Sequence, residues 1–204
     1  PYGGYYENLF FIALFFIFIK ERNLSTIMKL TFKNDALLNG INIVLKAVPS
    51  KTTMSILECI LIDATGSEIR LTGNDTELGI ETKVEGSILE RGKIALDAKI
   101  FSEIIRKLST PDGEITIESD NRFNTIISSS NSVFNIQGRD GEEFSYLPYI
   151  EKDKSISLSQ FTLKEVIRQT LFSISPNDSN KMMTGELFEV EDNVLKVTSL
   201  DGHR

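Results

Sequence analysis

The feature that most constrains this chain is a stretch that it uses twice, residues 30–75 and again residues 156–201. The first copy runs from Leu30 through an amphipathic segment, Asp35–Val48, and a polar loop to Leu57–Ala64, Thr65-Gly66 and Ile69–Asp75. In the second copy Leu37, Ile41, Leu45, Val48, Leu57, Leu61, Ile62, Ile69, Leu71 and Asp75 become Leu163, Ile167, Leu171, Ile174, Met183, Leu187, Phe188, Leu195, Val197 and Asp201. Each pair is 126 positions apart (163 − 37, 201 − 75), and no gap is needed. Solenoid units are ~20–50 residues long, so this period reads as one whole domain followed by the opening of a second domain of the same fold. A complete second copy would reach about residue 278 (152 + 126), and the chain has 204 residues.

Between and around the copies, hydrophobic periodicity predicts the elements. Lys29–Phe32 alternates as a short strand does. Asn34 or Asp35 is expected to cap a helix whose Leu37, Leu38, Ile41, Val44, Leu45 and Val48 form one apolar stripe, stopped by Pro49. A hairpin over Leu57–Ala64 and Glu68–Gly73 follows, then a strand over Glu77–Val84. Lys93–Leu96 leads into a second helix capped by Asp97, with Ile100, Phe101, Ile104, Ile105 and Leu108 inward and Lys99, Ser102, Arg106 and Lys107 outward. After the turn signal Pro111-Asp112-Gly113, three strands of a meander are predicted over Glu114–Ser119, Asn124–Ser130 and Val133–Gln137. Phe144 to Pro148 closes the domain, and the charged Glu151–Lys154 is the expected linker. The second copy is expected to supply a strand near Ser155, a helix over Ser159–Ile174, a loop and a hairpin. This order implies an α+β fold, a repeated domain in which two helices pack on an antiparallel sheet, with the second copy truncated. The expected division is an extension over 1–27, a first domain over 28–152 and part of a second over 153–204.

Residues 1–27 stand outside the repeat. Leu9–Ile19 is an apolar run shorter than the ~20 residues a spanning helix needs, and no basic segment precedes it. The chain opens without methionine, and Met28 immediately precedes the first predicted strand, so the segment reads as an extension. A membrane-anchored binding module built on that run is the alternative.

A formal charge of −7 argues against a generally basic surface but leaves room for a locally basic face. With one cysteine, Cys59, and one histidine, His203, neither a disulfide framework nor a cysteine-histidine zinc site can be built. No metal or cofactor is expected. Asp201 and His203 could form the core of a small hydrolase, yet no Gly-x-Ser-x-Gly elbow or phosphate-cradling glycine loop accompanies them. Lys46, Lys99, Arg106, Lys164 and Arg168 fall on the outward faces of the three predicted helices. Lys51 and Lys181 occupy equivalent loops after the first and third.

Five words in the sequence carry a family resemblance: Lys51-Thr-Thr-Met-Ser-Ile-Leu57, Leu71-Thr-Gly-Asn-Asp75, Phe144-Ser-Tyr-Leu-Pro148, Thr184-Gly-Glu-Leu-Phe188 and Leu200-Asp-Gly-His-Arg204. In this order and spacing they resemble the bacterial DNA polymerase III beta subunit, the sliding clamp, from Met28 to the end of the chain. Departures are Ser55, where the family often has proline, and Leu200, where it commonly has threonine. The loop Asn177–Met182 also lacks the family's frequent arginine or paired tyrosines. The resemblance implies a non-catalytic cytoplasmic, nucleoid-associated ring of two chains, three domains each, around double-stranded DNA. It implies that Lys46, Lys51, Lys99, Arg106, Lys164, Arg168 and Lys181 face DNA phosphates. It further implies that Met183, Leu200, Gly202, His203 and Arg204 rim a groove for peptides of the polymerase alpha subunit, the clamp loader and other proteins carrying the same short motif.

Overall fold

The protein is described by a computed structural model over residues 26–108, 113–130, 132–145, 147, 155–175 and 180–202. The Pro111-Asp112 turn, Tyr146, Pro148, the Glu151–Lys154 linker, the Leu9–Ile19 run, His203 and Arg204 lie outside the described residues. The chain divides into two compact units, with the boundary between Pro148 and Tyr149.

The first unit contains β1 (Thr26–Lys33), α1 (Asn34–Val44), β2 (Cys59–Asp63), β3 (Ile69–Asn74), β4 (Gly79–Val84), β5 (Gly86–Glu90) and β6 (Lys93–Asp97). It continues with α2 (Ala98–Lys107), β7 (Glu114–Asp120), β8 (Asn124–Ser129), β9 (Ser132–Gln137) and the short β10 (Arg139–Asp140). All pairings are antiparallel, as expected. The strands are shared between two five-stranded sheets, ordered β5-β1-β7-β8-β9 and β10-β6-β2-β3-β4. The chain crosses from one sheet to the other at Glu85, so β4 and β5 are nearly one strand serving both sheets. β5 has no counterpart among the predicted elements, because its short GSILE sequence is mostly exposed and offers no apolar alternation.

Alternation along β1 turns Met28, Leu30 and Phe32 into a core that also takes Ile115 and Ile117 of β7 and Ile127 of β8. β1 begins at Thr26, so the fold takes in two residues ahead of Met28. Four consecutive positions of β2, Cys59–Ile62, are buried, the pattern of a strand covered on both faces. Ile60 and Ile62 join the main core, while Cys59 and Leu61 meet Ala95 and Phe144 on the other side. Each of the Ile, Leu and Phe side chains contributes roughly 1.5–3 kcal/mol on burial.

α1 lays Leu37, Ile41 and Val44 into this core, with Leu38, Leu45 and Val48 packed at its margin, as the stripe requires. It passes into a 3-10 turn over Leu45–Ala47 before Pro49. The expected cap is corrected. Lys33 holds the cap position without a side-chain bond, and Asn34 sits inside the helix, buried, donating from Nδ2 to the Ile105 carbonyl at 3.4 Å. That carbonyl belongs to the last turn of α2, where carbonyls lack intrahelical donors, so Asn34 serves the end of the neighbouring helix instead of the start of its own. Asp97 does cap α2, accepting from the Ile100 amide at 2.8 Å. The inward face of α2 is also corrected: Ile100 is 48% exposed and Ser102 only 4%. At about 100° per residue, Ala98, Phe101, Ser102, Ile105 and Leu108 share one arc, and Ile100 lies off it. The Ser102 hydroxyl donates to the Lys99 carbonyl at 3.0 Å, which satisfies it within the helix.

The second unit repeats the opening of the first element by element. α3 (Gln160–Thr170) is α1 shifted by 126 (160 − 34, 170 − 44), and the 3-10 turn Leu171–Ser173 is Leu45–Ala47 shifted likewise. β11 (Leu187–Glu191) and β12 (Val194–Thr198) pair as Leu187↔Thr198 and Phe188↔Val197, the register of Leu61↔Thr72 and Ile62↔Leu71 carried forward. Residues 155–158, expected as a strand, are not one. In the first unit β1 pairs with β5 and β7, whose counterparts would fall at 212–216 and 240–246 (86 + 126, 114 + 126), beyond residue 204. Among the described residues no helix is long and apolar enough to cross a membrane.

Candidate functional site

Among the described residues of the first unit, four strand cations are met by carboxylates and four cations on the helical side are not. On the strands and their turns, Lys29 pairs with Glu118 at 3.0 Å, Arg70 with Glu68 and Glu81 at 3.2 and 2.9 Å, Lys83 with Glu68 at 2.6 Å and Lys93 with Glu142 at 2.6 Å. The hydrogen bond from Lys83, with help from Arg70, holds the Glu68 carboxyl below the usual carboxylate range, and Glu68 and Glu81 raise the Arg70 guanidinium above its ordinary value. On the helical side, Lys46 in the turn after α1, Lys51 in the loop after that turn, and Lys99 and Arg106 of α2 are all exposed. Among the described residues none of the four has a carboxylate partner. Arg106 instead donates from Nη2 to the neutral Asn42 Oδ1 of α1 at 3.1 Å. Exposed ion pairs contribute only ~0–1 kcal/mol, so the consequence is chiefly electrostatic: the charges of Lys29, Arg70, Lys83 and Lys93 are cancelled locally, and those of Lys46, Lys51, Lys99 and Arg106 are left available to an outside anion.

The second unit shows both kinds of cation, with Lys196 of β12 paired to Glu189 at 3.7 Å. Lys164 is exposed and has no ion pair among the described residues. Arg168 lies against Glu165 with two contacts, Nε–Oε1 at 3.3 Å and Nη2–Oε2 at 2.8 Å, so its charge is largely met within α3. Lys181 opens the 3-10 turn Lys181–Met183.

That turn and the β11–β12 hairpin form a cavity of ≈ 430 Å³, lined by Met183, Leu187 and Leu200 among apolar residues and by Asn180, Glu186, Thr198 and Ser199 among polar ones. Cross-strand pairing places Thr198 opposite Leu187, and Leu200 follows two positions on. Met183 is fixed by its backbone, whose carbonyl accepts from the Ser175 amide at 2.9 Å and whose amide donates to the Asn180 carbonyl at 2.9 Å. Thr170 ties the wall to α3, donating to Glu186 Oε1 at 2.8 Å and accepting through its carbonyl from Ser199 Oγ. Gly202, at φ +87°, adopts the left-handed region that favours glycine, and a Cβ there would stand 3.8 Å from the Met183 sulfur. The structure therefore brings Met183, Leu200 and Gly202 together. Sequence inspection missed Asn180, Leu187, Thr198 and Ser199. The signal for Leu187 and Thr198 is the hairpin register, which puts cross-strand partners on one side of the ladder.

Leu9–Ile19 and His203 are outside the described residues, and among the described residues no three His, Cys, Asp or Glu side chains converge on a metal position. Cys59 is buried, and burial pushes its thiol up to about 11.

Two family models match the chain in order, the DNA polymerase III beta subunit N-terminal domain over residues 28–148 and its central domain over residues 157–204. The chain is similar to the beta sliding clamp of Halalkalibacterium halodurans, 40% identical over 185 residues, which cover 87% of this chain and 48% of that protein. A crystal structure from Eubacterium rectale, described as a DNA polymerase III beta subunit, is 65% identical with a TM-score of 0.80, covering 86% of this chain and 48% of that one. The sliding clamp of Bartonella birtlesii, solved bound to griselimycin, is 27% identical with a TM-score of 0.77 over 86% of this chain and 48% of that one. The chain thus spans about half the length of the curated relatives it matches. With both domain models matched in sequence order across most of its length, the chain belongs to the DNA polymerase III beta subunit family, whose curated relatives are beta sliding clamps.

Proposed function

We propose that this chain is the first domain and the opening of the second of a sliding clamp that, at the full length of its relatives, closes as a two-chain ring around double-stranded DNA. The ring tethers the replicative polymerase and performs no chemistry of its own, so no cofactor is required. The observation that carries this reading is that, among the described residues, Lys46, Lys51, Lys99 and Arg106 have no carboxylate partner in a protein of net charge −7. Lys46, Lys51, Lys99 and Arg106, joined by Lys164 and Lys181, offer phosphates a sequence-independent attraction without reading base edges. Arg168 contributes less, because Glu165 already holds it.

The cavity at Met183 and Leu200 serves, on this reading, as the anchor pocket for short peptides of the polymerase alpha subunit, the clamp loader and other proteins with the same motif. An aliphatic or aromatic side chain would be buried there, with the backbone around Gly202, and His203 and Arg204 beyond it, meeting polar atoms. The griselimycin complex of the Bartonella birtlesii clamp supports ligand capture by this fold. The working place of such a protein is the nucleoid of the cytoplasm.

The test is topological. The full-length protein, loaded by a clamp loader onto nicked circular plasmid, is expected to stay with the DNA through gel filtration and to leave once a restriction enzyme linearises it. Equal retention on circular and linear DNA would mean ordinary surface binding and overturn the ring.

A further inference from the structure

Among the described residues two helix-face cations have their charged group held in place, and where Arg168 is held by a carboxylate, Arg106 is held by a group that leaves the charge intact. Its backbone sits beside Ile105, whose carbonyl accepts from Asn34 at the first residue of α1. Its guanidinium reaches Asn42, eight residues further along the same helix (42 − 34). At 1.5 Å of rise per residue that is roughly 12 Å, so the two contacts join α1 to α2 at separate points along α1. Every other arginine with a described ion pair is neutralised by it, Arg70 by Glu68 and Glu81 and Arg168 by Glu165. An aspartate at position 42 would accept the same hydrogen bond more strongly. It would also cancel the charge.

We propose that Asn42 is a positioning residue for phosphate contact: it orients the Arg106 guanidinium over the α1–α2 seam and, being uncharged, leaves the whole cation available to a DNA backbone. This rests on the reading of the helix face as the DNA-facing surface. An arginine presents a planar fork suited to phosphate oxygens, and the tether occupies only part of it, one contact from Nη2. Holding the fork beforehand removes rotamer freedom that a phosphate contact would otherwise have to restrict. Both residues are exposed on helices, so substitutions leave the core untouched.

The experiment is a double-substitution cycle on the 204-residue chain, read by anisotropy of a labelled duplex of about 30 base pairs from about 20 to 200 mM salt, each lost phosphate contact reducing the slope of log K against log salt by about 0.9. Arg106→Gln and Asn42→Asp are each expected to reduce the slope by about 0.9, and the double substitution by about 0.9 as well, since both remove the same contact. Asn42→Ala is expected to keep the slope and weaken binding about threefold, because the cation remains but loses its tether. Additive slopes in the double variant, or unaltered binding by Asn42→Ala, would overturn the proposal while leaving the DNA-facing reading intact. Absence of salt-dependent binding by the parent chain would overturn that reading and this inference together.

Discussion

The two copies of the repeat have one local structure and two environments. α1 and α3 begin and end at equivalent residues, the 3-10 turns after them coincide, and the two hairpins share a register. Yet Leu37 is fully buried and its counterpart Leu163 is 38% exposed, and Leu61 is 1% exposed against 57% for Leu187. What separates them is everything after residue 75 in the first unit: β5 and β7–β9 supply the second sheet, α2 flanks α1, and Phe144 covers the far side of β2. Helix limits and hairpin register are therefore written within each copy, while burial is supplied from outside it. Intrinsic propensity and capping place an element, and tertiary packing supplies most of its stability.

The largest expected effect follows from that separation. Leu37→Ala removes a fully buried side chain and is expected to destabilise its helix by ~2–5 kcal/mol. Leu163→Ala, at the same place in the repeat, should cost under ~1 kcal/mol, the scale of a partly exposed position. Amide hydrogen exchange measured separately on α1 and α3 lets each helix report on itself. Equal losses in the two helices would mean that α3 is as well supported as α1 and would break the comparison.

The same contrast explains what could be read from the sequence. The apolar stripe of α1, the Asp97 cap, the β7–β9 meander and the hairpins depend on residues a few positions apart, and these were legible. Asn34 was misassigned because the acceptor that claims its amide, the Ile105 carbonyl, lies 71 positions away. Ile100 and Ser102 exchanged places because an apolar count cannot show which side of α2 meets the core. The split into two sheets depends on one crossing at Glu85, with no local signal. At the cavity, Met183, Leu200 and Gly202 were named only as what the family resemblance implies, and the walls between them required the hairpin register. The link between Asn42 and Arg106 spans 64 positions and had no trace in the pattern.

A middle-sized effect is expected where the copies differ in a single small residue. A Cβ on Gly73 would stand 2.4 Å from the Val44 carbonyl oxygen, a backbone atom with little room to retreat. Its counterpart is Ser199 (199 − 73 = 126), whose hydroxyl donates to the carbonyl of Thr170, the counterpart of Val44. The first copy has thus closed this gap and the second bridges it. Gly73→Ser is expected to cost ~1–3 kcal/mol through overpacking. Ser199→Gly loses one half-exposed hydrogen bond, about 1 kcal/mol or less. Urea unfolding of both variants checks this, and a tolerated Gly73→Ser would show that α1 and β3 can part without loss.

The smallest expected effect lies in the turn after the repeated hairpin. In the first unit Thr76 takes a left-handed φ of +79°, and in the second the equivalent residue is Gly202 at +87°. A threonine there is strained where a glycine is not, and the first unit compensates with side-chain acceptors. Asn74 Oδ1 accepts from the Thr76 amide at 2.7 Å, and Asp75 Oδ1 accepts from the amides of Leu78 and Glu77 at 2.6 and 2.9 Å. These bonds to Leu78 and Glu77 hold the Asp75 carboxyl below its ordinary value. A depressed folded pKa means that the stabilisation is fully present above the unfolded value, near ~3.9, and is lost as pH falls through the folded one. Asp75→Asn keeps an acceptor but cannot ionise, so the parent chain should be the more stable of the two near neutrality, with the gap closing below about pH 4. Denaturant midpoints for both proteins, taken at neutral pH and again well below the carboxylate range, measure that gap. A gap that stays constant with pH would mean the Asp75 charge does not support the turn, and the threonine would then be held by Asn74 and the surrounding backbone alone.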